Sequence, residues 1–316
     1  MIITVTLNPA LDKTLTVPFF AVGEVNRAAA VRLDPGGKGV NVSKVLKALG
    51  GESVATGILG GAAGKSIAFA LGDMGIRHDF VYADGETRTN LKIVDPERHT
   101  HTDVNEPGAP VKRGNLEALQ HKLLSLAKAG DTVLFAGSSP RGVEDRASAD
   151  MALLLKQRGV RVAADLDGGR LSEMRLAKPF LIKPNERELK EMMNLPDTET
   201  ATLVFAARAL VQYGIGHVIV SRGEKGAIFA DEAGVLIGFG PKVEAVSTVG
   251  AGDAMMAAYL YAIEKECDRG EAARFAVAVA TAKVMRPGSS PPSREEVEAY
   301  RSAVAITTSE EQGDGI

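Results

Sequence analysis

The feature that most constrains this chain is a rhythm. Short apolar runs, MIITVTL, SVATGIL, DTVLFAG, RVAADL, PFLIKP and HVIVSRG, recur along it, each Val/Ile/Leu-rich and bounded by Gly, Pro or Asp. Between them lie stretches with helical spacing of apolar residues: KGVNVSKVLKALG, KSIAFALGDMG, NLEALQHKLLSLAKAG, ASADMALLLKQRG and ATLVFAARALVQYG. Runs this apolar suit strands covered on both faces, and the Gly that ends several helical stretches tolerates a left-handed cap. The alternation predicts an α/β fold, a mostly parallel sheet with helices on both faces.

Two segments break the rhythm. Residues 14–33 and 87–106 alternate polar and apolar side chains, as strands wetted on one face do. They are expected to leave the main sheet at neighbouring edges and build a small β lid. No internal repeat and no Pro/Ser-rich linker divides the 316 residues, so one domain is expected, with residues 306–316, polar and Gly-containing, as a frayed tail.

Charge and composition exclude several classes. A formal net charge of -3 gives no electrostatic reason to bind nucleic acid or an anionic membrane. No apolar run approaches the roughly 20 residues of a membrane span. The opening MIITVTLNPALD has no basic leader and reads as a first strand, not a signal peptide. The single Cys267 cannot make an internal disulfide. A cytoplasmic compartment is expected, with Cys267 as a packing residue near a helix end.

The chemistry concentrates in Gly-rich turns. GGKGVN, residues 36–41, opens a helix with little side chain in the way, so that backbone N–H groups can meet a ligand's oxygens; Lys38 could face an anion and Asn41 a hydroxyl. Asp12 follows the first strand, where open α/β sheets place their ligand crevice, although a turn cap is the plainer reading. In KPNERE, Asn185 and Glu188 are three apart at a helix start, a spacing that suits Mg²⁺ through its waters and a capping box equally. SRGEKGA is either a phosphate-approaching turn or a hairpin. GGAAGKS, residues 60–66, imitates a phosphate loop, but that spacing requires Gly at 59, where Leu59 stands. His99 and His101 share a strand face with no third ligand nearby, so a solvated face is expected.

The most telling turn is TVGAGD, residues 248–253. A helix N-terminus carries unpaired N–H groups and about half a positive charge. Gly250, Ala251 and Gly252 leave those groups uncovered, so a phosphoryl group gaining negative charge can sit there. Asp253 could then take the proton of an attacking hydroxyl. As a mere cap it would not need the bare approach.

NPALD, GGKGVN, TRTN, GSSP, KPNERE, SRGEKGA and TVGAGD occur in the order seen in the PfkB (ribokinase-like) family of carbohydrate kinases, which the chain resembles over residues 1–292. TLNPALD, GEVNRA, GGKGVNVSKVLKALG and DVNEPGAPV are most similar to its 1-phosphofructokinase and tagatose-6-phosphate kinase branch. The resemblance implies a three-layer α/β/α domain with a β-sheet lid, and transfer of the ATP γ-phosphoryl to a ketohexose phosphate. Fructose 1-phosphate is the first expectation; tagatose 6-phosphate and fructose 6-phosphate are alternatives, and an unphosphorylated sugar or nucleoside, or sugar sensing without turnover, comes after them. It implies Asp253 as general base and the amides of Gly250, Ala251 and Gly252 as anion hole. Asp12, Gly36, Gly37, Lys38 and Asn41 would hold sugar. Lys183, Asn185, Ser221, Gly223, Gly226, Thr248, Val249 and Gly252 would line the nucleotide, with Asn185 and Glu188 near Mg²⁺. Ser247, Val249, Arg286, Gly288 and Ser290 match positions that form a monovalent-cation (K⁺) site in several members. A phosphosugar also needs cations at the far end of the pocket. Arg88 and Lys38 are the first choices, then Arg27 and Ser138; Arg141, where relatives usually have Pro, is left open. The half-wet lid strands also imply a homodimer.

Overall fold

The computed structural model describes residues 1–308. In chain order the first part comprises β1 (Ile2–Thr6), β2 (Ala10–Thr16), β3 (Ala30–Gly36), α1 (Lys38–Ala48), β4 (Ser53–Leu59), α2 (Gly61–Asp73), β5 (Arg77–His78), β6 (Val81–Tyr82), β7 (Arg88–Asp95) and β8 (Thr100–Asn105). Five further elements carry the middle of the chain: α3 (Arg113–Leu126), β9 (Thr132–Ala136), α4 (Ala147–Lys156), β10 (Arg161–Asp165) and α5 (Gly168–Leu176). Then follow β11 (Leu181–Ile182), α6 (Glu186–Met193), α7 (Thr200–Tyr213), β12 (His217–Ser221), β13 (Ala227–Asp231) and β14 (Gly234–Phe239). Helices α8 (Ala251–Glu264), α9 (Arg269–Val284) and α10 (Arg294–Arg301) precede a last strand, β15 (Ala305–Thr308).

All six apolar runs are strands of one sheet, in the order β15-β14-β13-β12-β11-β10-β9-β1-β4-β5, with β6 also on β4. From β12 to β5 the pairings are parallel. Period-2 alternation divides the burial between two cores. Ile3, Val5, Val133, Phe135, Val162 and Val218 face a layer of α3, α4, α5, α6 and α7. Ile2, Leu134, Ala163 and Ile219 face α1, α8, α9 and α10. Each strand is thus apolar on both sides, which is why the runs show no polar alternation.

Beyond β12 the sheet turns antiparallel. SRGEKGA makes a hairpin with a 3-10 turn at Gly223–Lys225. Gly226 closes it at φ 81°, and a Cβ there would lie 1.9 Å from the Gly238 carbonyl oxygen, so no side chain fits. The expected frayed tail begins too early: residues 306–308 pair with β14, because Ile306 packs on the α9 side of the core. The rest of that tail lies outside the described residues.

The second sheet is separate, four strands in the order β3-β2-β7-β8. Its strands start earlier and end later than the sequence pattern suggests, at Ala10 and Gly36. Between β2 and β3, residues 17–29 are turn and loop, pinned by Asn26, whose side chain bridges Ala21 and Glu24. Cys267 does lie near the end of α8, but it is exposed, which corrects its expected role as a packing residue.

Candidate active site

The two sheets face each other across a cleft of about 510 Å³ at the carboxyl ends of the parallel strands. Alternation along the small sheet sends its polar residues inward: Asp12 from β2, Arg32 and Asp34 from β3, Arg88, Asn90 and Lys92 from β7, Asp103 and Asn105 from β8. From the main domain come Lys38 and Asn41 of α1, Asp165 at the end of β10, Lys183, Asn185, Glu188, Ser221 and the start of α8.

The start of α8 is open as the sequence suggests. Gly250 is left-handed at φ 79°, a conformation that a side chain would resist, and it brings the chain into the helix with no side-chain cap. The Ala251 N–H turns back to the Thr248 carbonyl at 3.3 Å, so it does not join the expected anion hole. The first helical bond runs from the Ala254 N–H to the Gly250 carbonyl, at 2.9 Å, leaving the amides of Gly252 and Asp253 ahead of it. Asp253 does not cap its own helix. Its Oδ2 accepts from Asn41 Nδ2 at 2.8 Å, a link between residues 212 apart in sequence. Burial and the neighbouring Asp165 charge push its carboxyl up to about 6, against the pull of Asn41, Lys38 and Lys183. A carboxylate so tuned is a proton acceptor near neutral pH.

Asp165 organises the cations. Its two oxygens meet Lys38 Nζ at 2.8 Å and Lys183 Nζ at 3.0 Å. Burial alone would push Asp165 up, but the two ammoniums outweigh it and hold it below the usual carboxylate range. The Lys183 ammonium lies beside the helix start: a Cβ on Gly252 would be 3.1 Å from its Nζ. A positive charge, two free amides and a buried base therefore converge on one spot.

Hydroxyl partners lie next to it. Asp12 and Asn90 sit opposite each other in register, and Asn90 Nδ2 donates to Asp12 Oδ1 at 2.9 Å. The Oδ1 atoms of Asn41 and Asn90 are buried without a hydrogen-bond partner, so they are acceptors fit for ligand hydroxyls. Further out, Arg88 has only the carbonyls of Asn8 and Glu106 as partners, at 3.2 and 3.4 Å, which leaves its charge available to an anion. Lys92 is paired with Asp103 at 3.1 Å and Arg32 with Asp34 at 2.7 Å.

Several expected site residues stand elsewhere. Arg27 and Arg141 are exposed and line no part of the cleft. Ser138 accepts from Asn8 Nδ2, one step behind Arg88. Gly36 gives room to Asp12, since a Cβ there would be 2.2 Å from its carboxylate. Asn185 and Glu188 form the capping box of α6, with the Asn185 N–H donating to Glu188 Oε2 at 2.8 Å and the Glu188 N–H to Asn185 Oδ1 at 2.9 Å. Both still border the cleft, as do Gly37, Val249 and Gly288, whereas Ser247, Thr248, Ala251, Gly223, Gly226, Arg286 and Ser290 are not among its lining residues. Sequence reasoning missed Asp165, Asn90, Arg32 and Lys92. The position of Asp165 at the end of a buried parallel strand was a usable signal; for Asn90 and Lys92 it was the strand period of two counted from Arg88, and Arg32 had none.

Comparison with known proteins points to one family. The pattern of the pfkB family carbohydrate kinases matches residues 5–296. The 1-phosphofructokinase of Rhodobacter capsulatus is 38% identical over 97% of this chain and 98% of its own, and that of Borreliella burgdorferi is 36% identical over 90% and 92%. Phosphofructokinase-2 from Escherichia coli, solved in complex with potassium, superposes with a TM-score of 0.92 at 29% identity, over 96% of this chain and 98% of that one. With the family pattern covering nearly its whole length, the chain belongs to the pfkB family of carbohydrate kinases.

Proposed function

We propose that this protein transfers the γ-phosphoryl group of ATP to the 6-hydroxyl of fructose 1-phosphate, giving fructose 1,6-bisphosphate. The observation that carries the reading is Asp253, a buried, Asn41-held carboxylate with a raised proton affinity at the uncovered start of α8. In this reading Asn41, Asn90 and Asp12 fix the sugar hydroxyls, and Arg88 takes the phosphate already present. Asp253 accepts the proton of the attacking 6-hydroxyl while the Gly252 and Asp253 amides and the Lys183 ammonium stabilise the charge on the transferred group. Lys183, Asn185, Ser221 and Val249 would hold the nucleotide. Glu188 and Asn185 border the cleft with side-chain oxygens that already accept from each other's backbone N–H, so they would hold a divalent metal through its waters; Mg²⁺ there would neutralise phosphate charge. Closure of the small sheet as a lid would exclude water that otherwise attacks ATP.

A second reading, 6-phosphofructokinase, draws on the structural likeness to the Escherichia coli phosphofructokinase-2 solved with fructose-6-phosphate, at a TM-score of 0.90 and 28% identity. A coupled ADP-release assay across fructose 1-phosphate, fructose 6-phosphate and tagatose 6-phosphate decides between them. Highest kcat/KM with fructose 1-phosphate is expected; preference for either 6-phosphate would overturn the choice of substrate.

The outer face of the small sheet carries Val31, Leu33 and Val104, each more than half exposed. Two such faces pressed together would give the homodimer. Sedimentation at micromolar concentration should show it, and a monomer there would exclude it.

A further inference from the structure

Lys283 lies in the last turn of α9 and is 1% exposed, one of the largest side chains the fold buries outright. Its ammonium donates to the Gly288 carbonyl at 2.8 Å and to the Arg286 carbonyl at 3.4 Å, so its partners are dipoles and not a carboxylate. Taking an ammonium out of water with no carboxylate in hydrogen-bond contact opposes folding, and the nearby Asp253 charge offsets this only in part, so a purely stabilising role explains it poorly. Its location suggests a better one. A Cβ on Gly250 would lie 3.5 Å from Lys283 Cε, so the lysine stem runs directly beneath the residue that starts α8. The loop leading to that residue is stapled to the same helix end, with the Val246 and Ser247 N–H groups both donating to the Val284 carbonyl at 2.8 and 3.0 Å.

Arg286 and Gly288 are two of the positions at which the family resemblance implies a monovalent cation. Their carbonyls do not fit that expectation here, because they already face an ammonium belonging to the chain. An ammonium and a potassium ion are close in size and both take carbonyl oxygens, so the two compete for one place. We propose that Lys283 is the resident cation of this site, and that its ammonium sets the 247–250 loop and the anion hole of α8 so that no K⁺ is required. The proposal rests on the kinase reading above. Lys283 touches no reactant in it; it is a positioning residue, acting through Gly250.

The test compares the full-length protein and Lys283→Ala in buffers whose only monovalent cation is tetramethylammonium, with K⁺ then added. For the unaltered protein, ADP release with fructose 1-phosphate should change less than about twofold on adding K⁺, and K⁺ should leave its melting temperature unmoved. Lys283→Ala should lose about 10- to 100-fold in kcat, with little change in KM for the sugar, as a misplaced anion hole would cause. K⁺ or methylammonium should restore most of that loss and raise the melting temperature of the variant alone. A K⁺ requirement in the unaltered protein would overturn the proposal, as would a variant fully active in tetramethylammonium or a folded variant that K⁺ cannot repair. If Lys283→Ala does not fold, the K⁺ response of the unaltered protein still decides. Failure of the kinase reading looks different, as no ADP release with any sugar phosphate in either buffer.

Discussion

Two Gly-rich helix starts in this molecule look alike in sequence and do opposite things. At α2, GGAAGKS bares the first turn, yet the site is filled from within. The Glu86 carboxylate accepts from the Ala63 N–H at 2.6 Å, the Thr87 hydroxyl accepts from the Gly60 N–H at 2.8 Å, and Lys65 is exposed. At α8, VGAGD bares the turn and the neighbouring carboxylate is drawn aside by Asn41, while Lys183 stands at the opening. Both ends carry the same dipole and the same orphan amides. What separates a plug from an active site is which distant side chain the fold delivers to it.

The comparison breaks most severely at Asp253. Asp253→Asn should keep fold and ATP binding while kcat falls by about 10²- to 10⁴-fold. Its stability should move the other way. The folded carboxyl, at about 6, lies above the usual 3.8, so its proton favours folding. That contribution is complete below pH 3.8 and disappears as pH rises through about 6. At neutral pH the buried charge therefore opposes folding, and the variant should gain about 1–3 kcal/mol in denaturant melts. Near-normal turnover would return Asp253 to a structural role.

Arg88→Ala should come next. Loss of one charged, partly buried hydrogen bond to phosphate should raise KM for the phosphosugar about 10- to 100-fold and leave KM for ATP nearly unchanged. Equal losses for both ligands would remove Arg88 from the sugar end. A gentler probe is acidity: kcat/KM should drop about tenfold per pH unit below about 6, as Asp253 takes up its proton. A flat profile down to pH 5 would show that Asp253 is not the base. The smallest effect belongs to α2. Glu86→Ala should lower stability by about 0.5–1 kcal/mol and leave turnover intact, since only a helix start is uncovered. A large loss of activity would mean that α2 takes part in the chemistry.

The strand–helix rhythm made the parallel core legible, because two-sided burial writes itself as short uninterrupted apolar runs. The antiparallel margin was harder to read. β15 is four residues that acquire strand character only by pairing with β14, and nothing local in AITT announces that. In the site, the residues that must be bare or fixed by backbone geometry were readable: Gly250, Gly252, Asp253 and Gly37. The charged partners were not, since Asp165 earns its role from two lysines at sequence distances of 127 and 18 residues, visible only after folding. Arg27, in the loop between β2 and β3, is exposed and does not line the cleft of its own chain, so folding gives its motif no partner there.

Two of the four connections between the small sheet and the main domain have almost no slack: residues 7–9 link β1 to β2, and Gly37 alone links β3 to α1. Asp12, on β2, and Asn41, on α1, thus flank these short links, one carried by the small sheet and one by the main domain. Links this short leave tipping of the small sheet about its base as its least restricted motion. Stiffening or loosening that base, at Pro9 for example, would alter how promptly the bisphosphate departs without touching any group that makes or breaks a bond.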